Sequence, residues 1–299
     1  MIWSEGNVVE LSDNLICAQC AKMGSNRKQR KSSKYGYGED SGGNVKAGIA
    51  MIATRRYMQN RIRILMILLF LAGLGIALFC IFFDEAVLVR KKSIFSVSRS
   101  EKVVALTFDD GPSPLWTPQI LDELKKANIK ATFFMVGEHI AKYPEIARRV
   151  AQDGHEIGNH TYDHHVLLYY KPGELEKEIK DTELIIRKVT GQATRYFRPP
   201  KAWLTAREKK KIEDLGYKVI LWSLNSKDWV TFDDKYIVKY IVRNIRPGNI
   251  ILFHDSGGVF STEGGDRRET VKTIPQLADK LRQMGYTFVT ISQLLEGKM

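Results

Sequence analysis

The sequence is poor in cysteine, with three in 299 residues, and none of them lies beyond Cys80. The C-terminal two thirds of the chain therefore contain no disulfide, which excludes a disulfide-stapled scaffold. A segment of about 200 residues can fold around a hydrophobic core without one. Cys17 and Cys20 form a single C-x-x-C with no second pair and no thioredoxin-like context, so we assign them neither a zinc site nor a redox role.

Acidic residues are outnumbered by basic ones, 34 to 46, which gives a net charge of +12. About half of this excess lies before residue 64, and the remainder is spread along the chain and mixed with acids. No compact basic surface for nucleic acid is expected from this distribution. It favours contact with an anionic wall polymer or with a membrane surface.

From Ile64 to Phe83 the chain reads ILMILLFLAGLGIALFCIFF, about 20 residues without a charge. A helix of this length spans the roughly 30 Å hydrocarbon core of a bilayer, and core helices of soluble proteins are seldom apolar on every face. The run ends in bulky residues rather than in a small-x-small cleavage site, so we predict an uncleaved signal anchor over residues 62–83. A cluster of basic residues precedes it and predicts that the C-terminal part faces outward: Arg55, Arg56, Arg61 and Arg63.

Residues 1–60 are polar, basic and rich in Gly and Ser, without apolar periodicity. The sequence therefore assigns them no structure and a cytoplasmic location. Met51 begins a complete signal anchor of its own and is a candidate start of the protein. Residues 84–100 are predicted to be a linker.

Beyond residue 100, short apolar runs alternate with longer amphipathic stretches. KVVALTF (102–108) and ATFFMV (131–136) predict buried strands, and the stretch between them predicts a helix with Thr117 as its cap and Pro118 at its first position. The alternation yields about seven β/α units over residues 101–296, with no internal repeat. It predicts a parallel sheet, either open and doubly wound or closed into a barrel.

Polar clusters at the predicted strand ends favour the barrel. TFDDG, GNHTYDHH, FRPP, SLNSKDW and LFHD each follow a strand, and a β/α barrel gathers all such ends on the face where its active site is built. An open sheet would bind at one switch point and predicts a Gly-rich phosphate loop, which this sequence lacks. We therefore predict a distorted TIM-like β/α barrel preceded by one transmembrane helix.

The stretch HEIGNHTYDHH, residues 155–165, holds four of the six histidines. His160 and His164 are four residues apart, a one-turn spacing that lets two imidazoles point the same way. The two adjacent carboxylates of TFDDG would repel each other unless a cation neutralised one of them. One aspartate with two histidines and an open position is a ligand set for a catalytic metal. His155, inside a predicted strand, is expected to be a core residue, and His165 to be exposed.

The motifs TFDDG, HTYDH, RPP, KDW and LFH follow one another between about residues 101 and 295. In this respect the chain resembles the polysaccharide deacetylase family, carbohydrate esterase family 4, also called the NodB homology domain. The resemblance implies a distorted β/α barrel that removes acetyl groups from N-acetylated sugars with a divalent metal, Zn²⁺ first and Co²⁺, Mn²⁺ or Ni²⁺ as alternatives. By position it implies Asp109 as the general base, Asp110, His160 and His164 as metal ligands, and His254 as the general acid.

The resemblance also implies that Arg198 pairs with the base and that Asp228 tunes the acid, whose ordinary pKa of about 6.5 a carboxylate would raise. It implies five substrate-binding residues: Pro199, Pro200, Lys201, Trp229 and Leu252. Two departures stand out. The family usually has an aromatic residue and glycine where Lys201 and Ala202 stand, and aspartate where Asn225 stands. The Lys201 backbone N–H remains available to an oxyanion, but we expect its side chain to alter the sugar subsite.

The expected function is a metal-dependent hydrolase that removes N-acetyl groups from polysaccharide containing N-acetylglucosamine or N-acetylmuramic acid. Peptidoglycan or a chitin-like glycan outside the cytoplasmic membrane is the expected substrate, and the single-pass anchor is the expected membrane contact. An O-acetyl esterase of the acetylxylan type would use the same residues and stays an alternative. An inactive wall-binding protein on the same fold is a second alternative, although such a protein would not need both an acid and a base.

Overall fold

A computed structural model describes residues 41–83, 93–258, 261 and 263–297. Its first element is a single long helix, α1 (Ser41–Phe83). Within α1, Ala50–Ile76 is long and apolar enough to cross a membrane, and the apolar window inside it is not buried. The helix begins at Ser41 rather than near residue 62, because Ala, Met, Arg and Gln are good helix formers that extend a helix once it is nucleated. Residues 41–60 are thus helical, whereas 1–40 and 84–92 lie outside the described residues.

The C-terminal part is built around parallel strands whose order places the polar motifs side by side. The sheet order is β5-β4-β3-β2-β1-β7-β6, with β8 beside the first half of β1, and every pairing between these strands is parallel. Asp109 is in register with His254 on the neighbouring strand. The strands are β1 (Val103–Asp109), β2 (Thr132–Met135), β3 (Glu156–Asn159), β4 (Tyr196–Phe197), β5 (Lys218–Val219), β6 (Leu224–Asn225), β7 (Ile250–His254) and β8 (Thr287–Val289).

Helices follow the strands, as the alternation predicted. They are α2 (Thr117–Lys126), α3 (Gly137–Lys142), α4 (Pro144–Gln152), α5 (Glu174–Thr190), α6 (Ala206–Asp214), α7 (Asp234–Asn244), α8 (Arg268–Gln283) and α9 (Ile291–Glu296). The predicted cap of α2 is wrong: Trp116 holds the cap position, and the Thr117 hydroxyl accepts from Ser113 N–H and donates to Asp255. The sequence did not predict the short helices α3 and α9.

Two apolar layers hold the barrel together, as side-chain alternation along a strand requires. Val104, Leu106 and Phe108 of β1 point outward and pack against the helices. Val103 and Ala105 point inward and pack with residues such as Phe134, Trp222 and Leu252 inside the barrel. This curled, parallel α/β architecture confirms the predicted fold class.

The barrel is distorted where the sequence predicted one continuous strand, YKVILWSL. Residues 220–223 separate β5 from β6, and the carbonyls of Ile220 and Leu221 accept hydrogen bonds from the Arg198 guanidinium, each at 3.2 Å. A fully buried arginine needs such acceptors, so these carbonyls bind the side chain instead of a neighbouring strand. Residues 94–97, expected to be linker, instead contact the barrel: Ile94 pairs with Ile220, and Val97 N–H donates to Gly248.

Candidate active site

Five polar clusters meet at the carboxyl ends of the strands, as the barrel interpretation predicted. Asp109 ends β1, His160 follows β3, Arg198 follows β4, and His254 ends β7. Asp228 lies three residues beyond β6. Because these strands are neighbours in the sheet, their ends bring the clusters to one face of the barrel. The described part of the chain has seven non-glycine residues with positive φ, and six of them lie in the loops of this face: Asp110, Thr161, His164, Lys201, Ala202 and Lys227.

Asp110, His160 and His164 form a compact cluster whose three ligand atoms lie within 4.8 Å of one another. The His164 and His160 Nε2 atoms lie 3.0 Å and 3.3 Å from the same Asp110 oxygen. A helical turn does not produce this approach, contrary to the prediction from their spacing. Instead, the segment turns through Thr161 (φ 66°) and His164 (φ 60°), and the His164 N–H donates to the Thr161 hydroxyl at 3.0 Å.

The chemistry of this cluster fits a divalent metal. The His160 Nδ1–H donates to the Arg198 carbonyl at 2.7 Å, which fixes the tautomer and leaves Nε2 with a free lone pair. Burial alone would raise the pKa of Asp110, but the imidazoles of His164 and His160 outweigh burial and hold it well below its usual range. One carboxylate and two imidazoles are a common donor set for zinc and similar ions. Gly257 makes room for this carboxylate, since a Cβ there would lie 2.1 Å from an Asp110 oxygen.

Asp109 is held by the buried guanidinium of Arg198. Arg198 Nη1 lies 2.6 Å from Asp109 Oδ1 and also donates to the Thr107 hydroxyl at 2.8 Å. The centroid of the Phe134 ring lies 4.0 Å from the guanidinium carbon, so the ring face packs against the cation. The second oxygen, Asp109 Oδ2, lies 3.9 Å from His160 Nε2 and so faces the cluster of Asp110, His160 and His164. These contacts fix the orientation of the Asp109 carboxylate.

His254 and Asp228 form a second oriented pair. Asp228 Oδ1 accepts from His254 Nδ1 at 2.8 Å, while Oδ2 accepts from the His254 backbone N–H and from the Thr270 hydroxyl, each at 2.8 Å. Burial lowers the pKa of His254, but the Asp228 carboxylate raises that pKa by more than burial lowers it, so the net shift is upward. The imidazole therefore stays protonated to higher pH than a free histidine, as a general acid requires.

Sequence reasoning missed a buried carboxyl group beside the TFDDG turn. Asp255 is fully buried, its Oδ2 accepts from the Thr117 hydroxyl at 2.5 Å, and its backbone N–H donates to the Asp109 carbonyl. Burial and then the nearby carboxylates raise its pKa to about 7. Gly111 leaves space for it, because a Cβ there would lie 2.1 Å from Asp255 Oδ2. The only signal in the sequence was its place directly after His254.

The five proposed substrate-binding residues differ in exposure. Pro199, Pro200 and Leu252 are buried, Trp229 is half-buried and Lys201 is exposed. The other departure, Asn225, is buried and accepts a hydrogen bond from the Lys227 N–H at 2.8 Å through its side-chain oxygen. An aspartate carboxylate would accept the same bond, so the turn that leads to Asp228 does not depend on the substitution.

Two histidines of the opening stretch lie away from the cluster. His155 is buried before β3, and its Nδ1 accepts from the Ala131 N–H at 3.1 Å, as expected of a satisfied core residue. His165 is exposed, as predicted, and its Nδ1 lies 2.6 Å from an Asp163 oxygen.

Comparison with known proteins agrees with this geometry. A profile of the polysaccharide deacetylase family matches residues 96–220. A peptidoglycan-N-acetylglucosamine deacetylase of Bacillus cereus is 36% identical over 206 residues, 68% of this chain and 93% of the relative. A peptidoglycan-N-acetylmuramic acid deacetylase of Bacillus subtilis is 37% identical over 203 residues, 68% of this chain and 41% of that longer protein.

A solved structure shows the same fold. It is the crystal structure of a peptidoglycan N-acetylglucosamine deacetylase in complex with a hydroxamate, 4-naphthalen-1-yl-N-oxidanyl-benzamide. It matches with a TM-score of 0.64 and 36% identity, over 69% of this chain and 94% of that chain. This chain belongs to the polysaccharide deacetylase family.

Proposed function

We propose that this protein is a metal-dependent hydrolase that removes N-acetyl groups from wall glycan, with peptidoglycan as the principal substrate. One observation carries the proposal: an oriented carboxylate, Asp109, and an oriented imidazole, His254, are in register on neighbouring strands beside the Asp110 cluster. The two relatives described above, 36% and 37% identical to this chain, are named for peptidoglycan deacetylation. Peptidoglycan carries its N-acetyl groups on two sugars, N-acetylglucosamine and N-acetylmuramic acid, and the proposal covers both.

Amide hydrolysis needs an activated water, a stabilised oxyanion and a protonated leaving amine. A divalent ion held by Asp110, His160 and His164 would supply Lewis-acid chemistry, lowering the pKa of water and polarising the acetyl carbonyl. Asp109 takes the water proton on the carboxylate that Arg198 orients, and general base help of this kind contributes about 10²–10⁴-fold.

His254 acts at the other end of the reaction. Its ring hydrogen bonds to Asp228 through Nδ1, so Nε2 is the atom that donates the proton to the departing amine. Asp228 keeps the imidazole protonated and fixes its ring plane, since Thr270 and the His254 backbone hold the carboxylate in turn. The Lys201 backbone N–H is proposed to donate to the oxyanion, a role that any residue except proline can fill.

We also propose that the catalytic domain lies outside the cytoplasmic membrane. α1 contains a candidate span, and a basic cluster precedes its most apolar part. Substrate location agrees with this orientation, because wall glycan is assembled outside that membrane. The N-terminal helix would then keep the domain close to its polymer.

The test is acetate release by the full chain in detergent, from peptidoglycan, chitotetraose and acetylxylan. We expect release from the first two, loss after treatment with a chelator, and recovery when Zn²⁺ or Co²⁺ is added. Full activity of the metal-free protein would contradict the mechanism. Release from acetylxylan alone would favour the O-acetyl esterase, and no release from any of the three substrates would favour a binding protein.

A further inference from the structure

A cavity of about 410 Å³ lies at the opposite end of the strands that carry the active site. Residues at the amino-terminal ends of β2, β3 and β4 and at the start of α9 border it. Side-chain alternation puts Glu156 on the same side of β3 as His160, and Tyr196 on the same side of β4 as Arg198. The two strands thus present catalytic groups at one end and a second set of polar groups at the other.

The cavity lining keeps unused hydrogen-bonding capacity. Glu156 Oε2 accepts from the Thr132 hydroxyl at 2.7 Å and from the Ser292 N–H at 3.2 Å, whereas Oε1 has no partner in the described part of the chain. The Tyr196 hydroxyl also has none among the described residues, and burial and then Glu156 raise its pKa to about 12, which keeps it a donor. Because two hydrogen bonds hold Oε2 of Glu156, the direction in which Oε1 points is also fixed.

The charges of the lining disfavour an ionic ligand. Lys130 borders the cavity with an ammonium that donates to the Asp153 carbonyl, and Glu156 provides a carboxylate. An anion would meet the carboxylate and a cation would meet the ammonium, so a neutral ligand is favoured. Most of the other side chains on the wall are polar and uncharged, including Gln192, Thr194 and Ser292.

A sugar unit combines the properties that this lining selects. Its hydroxyls can donate to the free Glu156 oxygen and accept from Tyr196 and Lys130, and its C–H face can lie on the Tyr196 ring. The volume lies at the lower end of the range for small-ligand pockets and suits one or two sugar rings. A purely apolar ligand would leave these polar groups unpaired.

We propose that this cavity is a second carbohydrate-binding site, which holds a sugar residue of the wall glycan at the end of the barrel opposite the active site. The identity of the glycan rests on the proposed function, but binding at the cavity does not require turnover. Such a site would retain the enzyme on a polymer and would have no role with a substrate too short to occupy both sites.

The experiment compares Tyr196→Ala and Glu156→Gln with the wild-type full chain in detergent. Two readouts are taken: cosedimentation with insoluble peptidoglycan, and acetate release from peptidoglycan and from chitotetraose. We expect weaker cosedimentation and a KM for peptidoglycan raised about three- to ten-fold, the range for losing one ring contact. The kcat and KM for chitotetraose should stay unchanged. Leu184→Ala, an exposed apolar residue on α5, is the matched surface control.

Folding is checked by thermal unfolding of each variant. Tyr196→Phe serves as the milder change, because it removes only the hydroxyl and keeps the ring. Wild-type cosedimentation and KM in both Tyr196→Ala and Glu156→Gln would overturn the proposal. A parallel loss on chitotetraose would also overturn it, since that outcome indicates a structural role. If the wild type releases no acetate from any glycan, the proposed function fails, while cosedimentation still tests the cavity.

Discussion

At the scale of single residues, the site separates two adjacent aspartates that look alike in the sequence. Asp109 ends β1, faces the barrel interior and is held by Arg198, while Asp110 turns into the left-handed region at φ 77° and faces the two histidines. A strand directs successive side chains to opposite faces, and the turn after Asp109 brings the second carboxylate back to the same mouth. One carboxylate can therefore move a proton while its neighbour binds a cation.

We predict different defects for Asp109→Asn and Asp110→Ala. Asp109→Asn should keep its metal and lose about 10²–10⁴-fold in kcat, the range for removing general base help. Asp110→Ala should lose metal, because it removes the only carboxylate of the three-residue cluster, and excess Zn²⁺ should restore part of its activity. Metal content by mass spectrometry beside turnover distinguishes the two. If Asp109→Asn is empty and Asp110→Ala full, the base and the ligand are assigned the wrong way round.

Lys201 is a residue whose effect should depend on the charge of the glycan. It is exposed, lies three residues after Arg198, and has no ion-pair partner among the described residues. Peptidoglycan carries carboxylates, on its stem peptides and on muramic acid units without a peptide, and chitotetraose lacks them. We predict that Lys201→Met lowers kcat/KM about two- to five-fold on peptidoglycan, the range for an exposed ion pair, and leaves chitotetraose unaffected.

Lys188→Met, on the exposed part of α5, is the matched control for this change and should alter neither substrate. Added salt should reduce the peptidoglycan preference of the wild type and have little effect on Lys201→Met. An equal loss on both glycans would contradict the charge argument, and no loss on either would show that residue 201 acts through its backbone alone.

At the scale of elements, periodicity predicted the long strands and helices because their local signals are strong. β1, β2, β7 and the amphipathic helices α5 and α8 appear where apolar runs and 3.6-residue spacing indicated them. The break between β5 and β6 was not predictable from local pattern, because YKVILWSL is a good strand sequence. It depends on Arg198, a residue some 20 positions away, whose guanidinium binds the carbonyls of that segment.

The same limit applies to the cluster of Asp110, His160 and His164. The sequence indicated that Asp110, His160 and His164 would lie together. It predicted a helical turn between the two histidines, however, where the structure has a loop with left-handed residues. Tertiary contacts decide this: the His160 ring binds the Arg198 carbonyl of the next strand, and Asn159 Oδ1 accepts from the Thr161 N–H. Contacts of this kind, between the ends of different strands, produce no periodic pattern from which the sequence could predict them.

The start of β3 makes folding stability dependent on pH. His155 is buried, and burial followed by the charge of Lys130 lowers its pKa to about 4 from an ordinary 6.5. Between these values the unfolded chain binds a proton that the folded chain does not, so this contribution is present above pH 6.5 and is lost as pH falls toward 4. By pH 5 the loss amounts to about 2 kcal/mol.

We therefore predict that His155→Gln makes the unfolding free energy less dependent on pH between 7 and 5. Urea denaturation of the full chain in detergent, at both pH values, measures the difference between the two. The variant starts less stable at pH 7, because Gln fits the site of the imidazole imperfectly, but it should lose about 2 kcal/mol less on acidification. Equal losses in both proteins would contradict this, because they would show that the pKa of His155 is the same in the folded and the unfolded chain.

At the scale of the whole molecule, the chain contains a barrel with its proposed catalytic groups on one face and a helix with a candidate span. The anchor would restrict the enzyme to glycan near the membrane, and the cavity at the other barrel end would add a hold on the polymer. Both features would affect how the enzyme meets and stays on a polymer, and would have less effect on the rate of the chemical step. Short soluble substrates therefore report on the active site alone, and insoluble glycan reports on the complete protein.

Orientation of the molecule is the last prediction, and it depends on the flanks of the span. Four arginines between residues 55 and 63 precede the most apolar run, and positive charge of this density is retained in the cytoplasm. Protease added to intact cells, after removal of the wall, should digest the domain beyond Phe83 and spare an epitope placed before residue 50. Replacing Arg55, Arg56, Arg61 and Arg63 with glutamine should reduce the digested fraction, since the orienting charge is then absent, and replacing Arg90, Lys91 and Lys92 should not reduce it. A domain protected in intact cells and digested only after lysis would place the catalytic face in the cytoplasm, where wall glycan could not reach it.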